Sequence, residues 1–292
     1  MYELVQAGER TFYIDCPSKM GIYRISDDEV CLIDSGNDKE AGKKALRRIE
    51  ENGWTLKCII NTHSNADHIG GSRYLQEKTG CAVYGNGLQN AFARYPFLEG
   101  AFLFGGLPCK ELQNKFLRAP QCESLELKPG LIPAGLELIS LPGHFFDMIG
   151  VKTPDGVWFL ADCVSGETAL EKYHLTFVYD PRAYLETLER IKTLEGALFI
   201  PAHAPASADI GPLADRNRDK TLEILSLLLD ICRGGISNEE ALRRVFEHYR
   251  LAMDFNQYAL VGSTVRSYLS FLHDEGKLAA RFEDNRLVWE TM

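Results

Sequence analysis

The 292-residue sequence predicts an α/β fold followed by a small carboxyl-terminal helical unit. Three patterns carry that expectation. Strand-like and helix-like segments alternate through two successive halves, each opening on a run of strands. Polar, ligand-type side chains follow directly on the ends of several strands, so functional groups gather along one edge of the sheets. Past His203 the strand signals give way to helical periodicity.

Composition sets the frame. With 45% hydrophobic and 25% charged residues, the chain is long enough to bury a large core and is neither disordered nor fibrous. Its net charge of −9, from 32 basic and 41 acidic residues, repels a phosphate backbone at long range and favours small or uncharged substrates over nucleic acid. The eight cysteines form no CxxC pair and none of the crowding of a disulfide scaffold, which fits a reducing compartment. No basic-then-apolar leader opens the sequence and no apolar run approaches a membrane span, so a cytoplasmic location without membrane attachment is expected.

In order along the chain, strands are expected at 11–14, 21–25 and 30–33, the last breaking off in Asp34-Ser35-Gly36. A charged helix over 39–51, with Ala45, Leu46 and Ile49 at helical spacing, stops at Asn52-Gly53. A largely buried strand over 56–61 runs into the polar segment Thr62 to Ser72, then a short helix over 69–79 and a strand over 82–84. Residues 85–123 form a long, partly aromatic excursion, either functional or helical in its own right. Strands over 136–141, 157–161 and 197–201 end at His144, Asp162 and His203, and Asp180-Pro181 caps a helix to about residue 194.

A boundary near residue 212 separates a catalytic unit, 1–212, from a helical linker and winged-helix-like unit, 213–292. The second unit carries a continuous helix over 213–232, a helix capped by Asn238, a helix opening at Ser263, and a hairpin about Glu283-Asp284-Asn285-Arg286. From Gly235 onward it has seven Lys or Arg against nine Asp or Glu, which argues against DNA binding and for a packing or dimerisation appendage that could also wall the active site, with a homodimer one possible outcome.

The strongest local signal is His63-Ser64-Asn65-Ala66-Asp67-His68, which sets several ligand-type side chains on one loop at a strand end. With His144, Asp162 and His203 at further strand ends, one sheet edge can gather imidazoles and carboxylates. Nitrogen and oxygen donors of this kind suit a divalent transition metal with a position left open for water.

This ensemble resembles the metallo-β-lactamase fold superfamily, whose motif HxHxDH is followed by separate His, Asp and His ligands. The resemblance covers residues 10–205 and includes Asp34, which matches the family's first, largely structural aspartate. It implies an αβ/βα sandwich with two metals at the shared sheet edge. His63, Asn65 and His144 would hold the first; Asp67, His68 and His203 the second; Asp162 would bridge them. Asn65 stands where the family has a second histidine, and an amide oxygen is a weaker zinc donor than imidazole. Three outcomes stay open: a weakened two-metal centre, one metal at the second set alone, or one iron on His63, His144 and Asp162 as in persulfide dioxygenases.

The resemblance implies a hydrolase using one or two Zn2+, with Fe or Mn as alternatives, acting on a small ester, thioester, lactone or related substrate. A metal-bound hydroxide would attack the substrate, with Asp67 as the catalytic carboxylate that orients it. The alternatives are an iron-dependent sulfur oxidoreductase and, by architectural analogy with the lactamase-β-like endoribonucleases, a nucleic-acid phosphodiesterase. His174, with Tyr173 or Tyr179, is a lesser candidate for substrate contact, whereas His248 and His273 read as surface or capping residues. Phe92, Tyr95, Phe97, Phe102, Phe104 and Phe116 read as packing of a helical insertion, with an apolar substrate pocket as the alternative.

Overall fold

The computed structural model describes residues 2–292. The first half runs β1 (Glu3–Gln6), β2 (Thr11–Asp15), β3 (Met20–Arg24), β4 (Glu29–Ile33), α1 (Lys39–Glu51), β5 (Thr55–Ile60), α2 (Ala66–Ile69), α3 (Ser72–Thr79) and β6 (Ala82–Gly85). The excursion holds α4 (Gly87–Arg94), α5 (Phe97–Phe104) and a 3-10 turn at Lys110–Leu112, and closes with β7 (Leu125–Glu126). The second half follows as β8 (Glu137–Ser140), β9 (Ile149–Lys152), β10 (Val157–Ala161), α6 (Glu167–Tyr173), α7 (Pro181–Ile191) and β11 (Leu198–Pro201). The chain ends with α8 (Gly211–Ile231), α9 (Asn238–Tyr249), α10 (Phe255–Asp274) and the hairpin β12 (Leu278–Glu283) and β13 (Arg286–Thr291).

Seven strands form one sheet in chain order, antiparallel from β1 to β4 and parallel from β4 to β7. A second sheet has the order β11-β10-β9-β8. Side chains alternate across a strand, and the alternation here sorts residues into layers. In β4, Cys31 and Ile33 face Ile149, Val151, Val157 and Phe159 between the sheets, while Val30 and Leu32 join Ala45 and Ile49 of α1 on the outer face. In β10, Phe159 packs between the sheets and Trp158 and Leu160 pack outward with Leu188 of α7 and Ile224 and Leu228 of α8. The result is the expected αβ/βα sandwich. The outward cluster also takes in Val245, Val261, Tyr268 and Leu278, so one apolar core runs from the second sheet into the last helices across residue 212.

Several elements differ from expectation. The helix expected over 69–79 is interrupted at Gly70-Gly71, where the chain passes so close to β4 that a Cβ on Gly71 would lie 2.3 Å from the Ser35 carbonyl oxygen. That close approach seats the ligand loop against the end of β4. Ser237, not Asn238, caps α9; the Asn238 carboxamide instead accepts from the Trp289 indole N–H at 2.7 Å. Asp254 caps α10, which therefore opens at Phe255, well before Ser263. Strands β1, β7 and β9 are additional; each has at most four residues, too few to show a pattern. The helix, helix and hairpin of the carboxyl-terminal region stand in the expected order, with Asp284 and Asn285 both at positive φ in the two-residue turn.

Candidate metal centre

The loop after β5 carries the first ligand candidates, and Asp34 at the end of β4 organises it. One Asp34 oxygen accepts the Thr62 backbone N–H at 2.8 Å; the other accepts the Thr62 hydroxyl and His68 Nδ1, each at 2.8 Å. Since the single hydroxyl proton of Thr62 is spent on Asp34, Thr62 Oγ1 accepts from His63 Nδ1 at 3.1 Å. Both imidazoles are fully buried and held with Nδ1 protonated, which leaves Nε2 as the ligating atom. Ser64 is pinned beside them, donating both its backbone N–H and its hydroxyl to Gln89 of α4.

The remaining histidines obey the same logic. His144 donates Nδ1–H to the Phe177 carbonyl at 2.9 Å, and His203 donates Nδ1–H to the Pro17 carbonyl at 2.8 Å. Gly143 makes the first placement possible: its φ is +121° and a Cβ there would lie 2.3 Å from Tyr184 of α7. All four Nε2 atoms then converge on Asp162. They lie 4.0 Å (His63), 3.0 Å (His68), 3.6 Å (His144) and 3.3 Å (His203) from its carboxylate oxygens, and Asp67 reaches His203 Nε2 at 3.0 Å.

Two sets of donors result, each within 4.8 Å: Asp67, His68, Asp162 and His203, and His63, His144 and Asp162. They could hold one divalent cation each, with Asp162 common to both. The residues present fit such ions, because His63 Nε2 is buried with no hydrogen-bond partner and the other imidazoles are pre-oriented. Charges are arranged accordingly. Burial opposes a proton on His68 and His203, but Asp162 and Asp67 outweigh it and raise both well above the usual histidine range. Burial and the neighbouring His68 lower His63 well below that range. Burial likewise lowers His144, against the pull of Asp162. Asp67 and Asp162 resist the upward push of burial because His68 and His203 hold both carboxyls below the ordinary range.

Asn65 takes its expected place in the loop and brings an unexpected partner. Its Oδ1 lies 3.1 Å from His144 Nε2, while its Nδ2 donates to the buried carboxyl of Glu99 on α5. Burial pushes the Glu99 carboxyl up to about 8, the Asn65 hydrogen bond working in the opposite direction. Sequence reasoning missed Glu99; the signal was a lone charge inside the apolar run Phe97 to Phe104.

A cavity of about 590 Å3 opens beside His144, Asp162 and His203. Ser165, Thr168, Lys172 and Tyr173 form its polar side, Leu175 and Phe177 its floor, and Gln257, Leu260 and Val261 of α10 its far wall. With α10, the carboxyl-terminal region supplies part of the wall, one of the roles expected for it from sequence. Tyr173 lines this cavity, but His174 does not; it stacks on Tyr249 with ring centres 4.3 Å apart. None of the six excursion aromatics lines it. Phe92 and Phe102 pack with Phe145, Phe146 and Tyr179 behind the centre, whereas Tyr95, Phe97, Phe104 and Phe116 are exposed. His273 caps, donating Nδ1–H to the Leu278 carbonyl at 2.8 Å, and His248 sits edge-on to Tyr249.

Residues 14–203 match the family described as the metallo-beta-lactamase superfamily. The chain belongs to the metallo-beta-lactamase superfamily. Its fold is that of solved members. A beta-lactamase domain protein from Burkholderia ambifaria superposes with a TM-score of 0.77 over 99% of this chain and 94% of that one, at 16% identity. Hydroxyacylglutathione hydrolase GloC of Haemophilus influenzae is 31% identical over 130 residues, 43% of this chain and 57% of its own length. The probable metallo-hydrolase YqgX of Bacillus subtilis is 25% identical over 67% of this chain and 89% of its own length. The match to GloC, and those to other hydroxyacylglutathione hydrolases, thus leave more than a third of each relative uncovered. Among the described residues no helix is long and apolar enough to cross a membrane.

Proposed function

We propose that this superfamily member is a divalent-metal-dependent hydrolase of small acyl compounds, with thioesters the favoured class over esters and lactones. The observation that carries the proposal is the convergence of four Nε2 atoms on Asp162, each imidazole fixed from behind. Asn65, Asp67 and Asp162 complete the ligand set with His63, His68, His144 and His203, and zinc is the favoured ion. Bound there, divalent metal would acidify a water toward a pKa near 7 and polarise the substrate carbonyl. Asp67 holds its charge and lies 3.0 Å from His203 Nε2, which suits it to orient the attacking water. Leu175, Phe177, Leu260 and Val261 exclude solvent from the acyl group, and Lys172 and Tyr173 offer a cation and a hydroxyl to the polar end. The likeness to hydroxyacylglutathione hydrolases supports a thioester.

A one-iron reading draws on the separate grouping of His63, His144 and Asp162, but it leaves the equally organised set around His68 and His203 without a role. The test is Asp162→Ala in the full chain. Metal content by elemental analysis and hydrolysis of acyl thioesters should be lost together. Retained metal in that variant, or about one iron per wild-type chain with thiol-dependent oxygen uptake, would replace this reading.

A further inference from the structure

We infer that Glu99 is a positioning residue that turns the Asn65 carboxamide so that its oxygen faces His63, His144 and Asp162, making a cation site with an oxygen donor in place of the missing imidazole. The inference rests on the metal-dependent reading above and concerns which ion its first position accepts.

An imidazole offers a cation one kind of atom, whereas a carboxamide has two unlike ends. Only Oδ1 carries a lone pair that can ligate; Nδ2 would present hydrogens. Which end faces inward is therefore set by what stands behind the amide. Here that is Glu99, whose carboxyl accepts from Asn65 Nδ2 and from no other side chain among the described residues. Glu99 is buried at 5% exposure on α5, in a helix whose other buried residues are Gly100 and Leu103. Nothing in the packing of that helix calls for a carboxyl. Desolvating one carries a cost that a single specific hydrogen bond is there to offset.

The inner face of the amide completes the argument. His144 spends its Nδ1–H on the Phe177 carbonyl, so its Nε2 presents a lone pair, and Asn65 Oδ1 lies 3.1 Å away with lone pairs of its own. Two acceptors in that relation repel each other unless a cation, or a proton, lies between them. His63 Nε2, without a partner, and Asp162 Oδ2, 4.0 Å from it, share the same space. Two imidazole nitrogens with two oxygens form a harder donor set than three imidazoles. The first position should therefore favour manganese or iron relative to zinc more than a three-imidazole position would. The carboxyl behind the amide plays the part that a carboxylate behind a ligating histidine plays elsewhere.

The experiment uses the full-length protein stripped of metal, given one equivalent of Zn2+, and then titrated with Mn2+ while free Mn2+ is followed by electron paramagnetic resonance. Wild type should take up a second ion. Glu99→Leu should bind that Mn2+ about 10–100-fold more weakly, with the affinity for the first Zn2+ equivalent held within about twofold as the control for folding. Glu99→Gln should restore Mn2+ binding, since its side-chain carbonyl can still accept from Asn65 Nδ2. Equal or tighter Mn2+ binding in Glu99→Leu would overturn the inference, because it would mean the nitrogen end faces inward or the amide is not a ligand. Uptake of the Zn2+ alone by wild type would overturn it as well and leave a one-metal hydrolase standing. Failure to bind any divalent ion would defeat the metal-dependent reading itself.

Discussion

Replacing Asp34 by asparagine tests the proposed centre without touching any candidate ligand. The residue sits at φ +61°, a left-handed conformation that asparagine tolerates and alanine resists, so the backbone is spared. The hydrogen-bond pattern is not. Asp34 accepts three donors: the Thr62 N–H, the Thr62 hydroxyl and His68 Nδ1–H. A carboxamide has one accepting end. If its oxygen keeps the Thr62 N–H, its NH2 meets both the hydroxyl and His68 Nδ1. The hydroxyl must then reverse and donate to His63 Nδ1, and His68 must accept at Nδ1. Both imidazoles would move their proton to Nε2, the atom that ligates. If the amide turns over, its NH2 faces the Thr62 N–H and the loop loses its anchor.

Losing a residue of this supporting kind typically lowers metal affinity about 10–100-fold, or about 1.4–2.7 kcal/mol. Because both His63 and His68 are affected, the expectation lies at the upper end and covers both donor sets. The assay is competition of full-length Asp34→Asn and wild type against a chromophoric chelator at fixed pH, with circular dichroism as the check on folding. A folded Asp34→Asn chain that binds Zn2+ as tightly as wild type would refute the reasoning that Asp34 sets the two tautomers.

Two further outcomes follow from the same structure. His68 and His203 are raised above the usual histidine range in the metal-free chain, so both carry a proton at neutral pH that ligation must displace. Loading should then release about two protons per chain, and metal affinity should climb with pH until those raised values are passed. A pH indicator in weak buffer measures the release, and no release would show that the two imidazoles are not ligands. Lys172→Ala should raise KM for an anionic thioester about two- to fivefold with kcat unchanged, in keeping with about 0.2–1 kcal/mol for an exposed ion pair. An equal effect on an uncharged thioester would remove Lys172 from substrate binding.

The residues of the candidate centre were legible because strand ends are legible. His144, Asp162 and His203 each follow a short apolar run closed by a turn, and His63 to His68 follows a strand whose last three residues are all buried. What surrounds them was harder to read. Glu99 lies 34 residues from the asparagine it holds, and neither residue alone predicts the other. The cavity wall on α10 depends on how the last helices pack, which no local pattern encodes. The α10 start was misplaced because Asp254 caps it after a stretch that reads as loop. The Gly70-Gly71 pair stands in the sequence, but the close approach of the Ser35 carbonyl that calls for a glycine at 71 is a tertiary contact.

Every residue assigned here to the metal centre precedes Ala204, whereas the far wall of the cavity belongs to Gln257, Leu260 and Val261. Part of the shape is thereby kept on a stretch of chain apart from the chemistry. Drift in α10 can narrow, deepen or re-polarise the space beside the ligands while the imidazoles and their anchors stay as they are. A lineage carrying this architecture can change what it accepts without relearning how to cleave it.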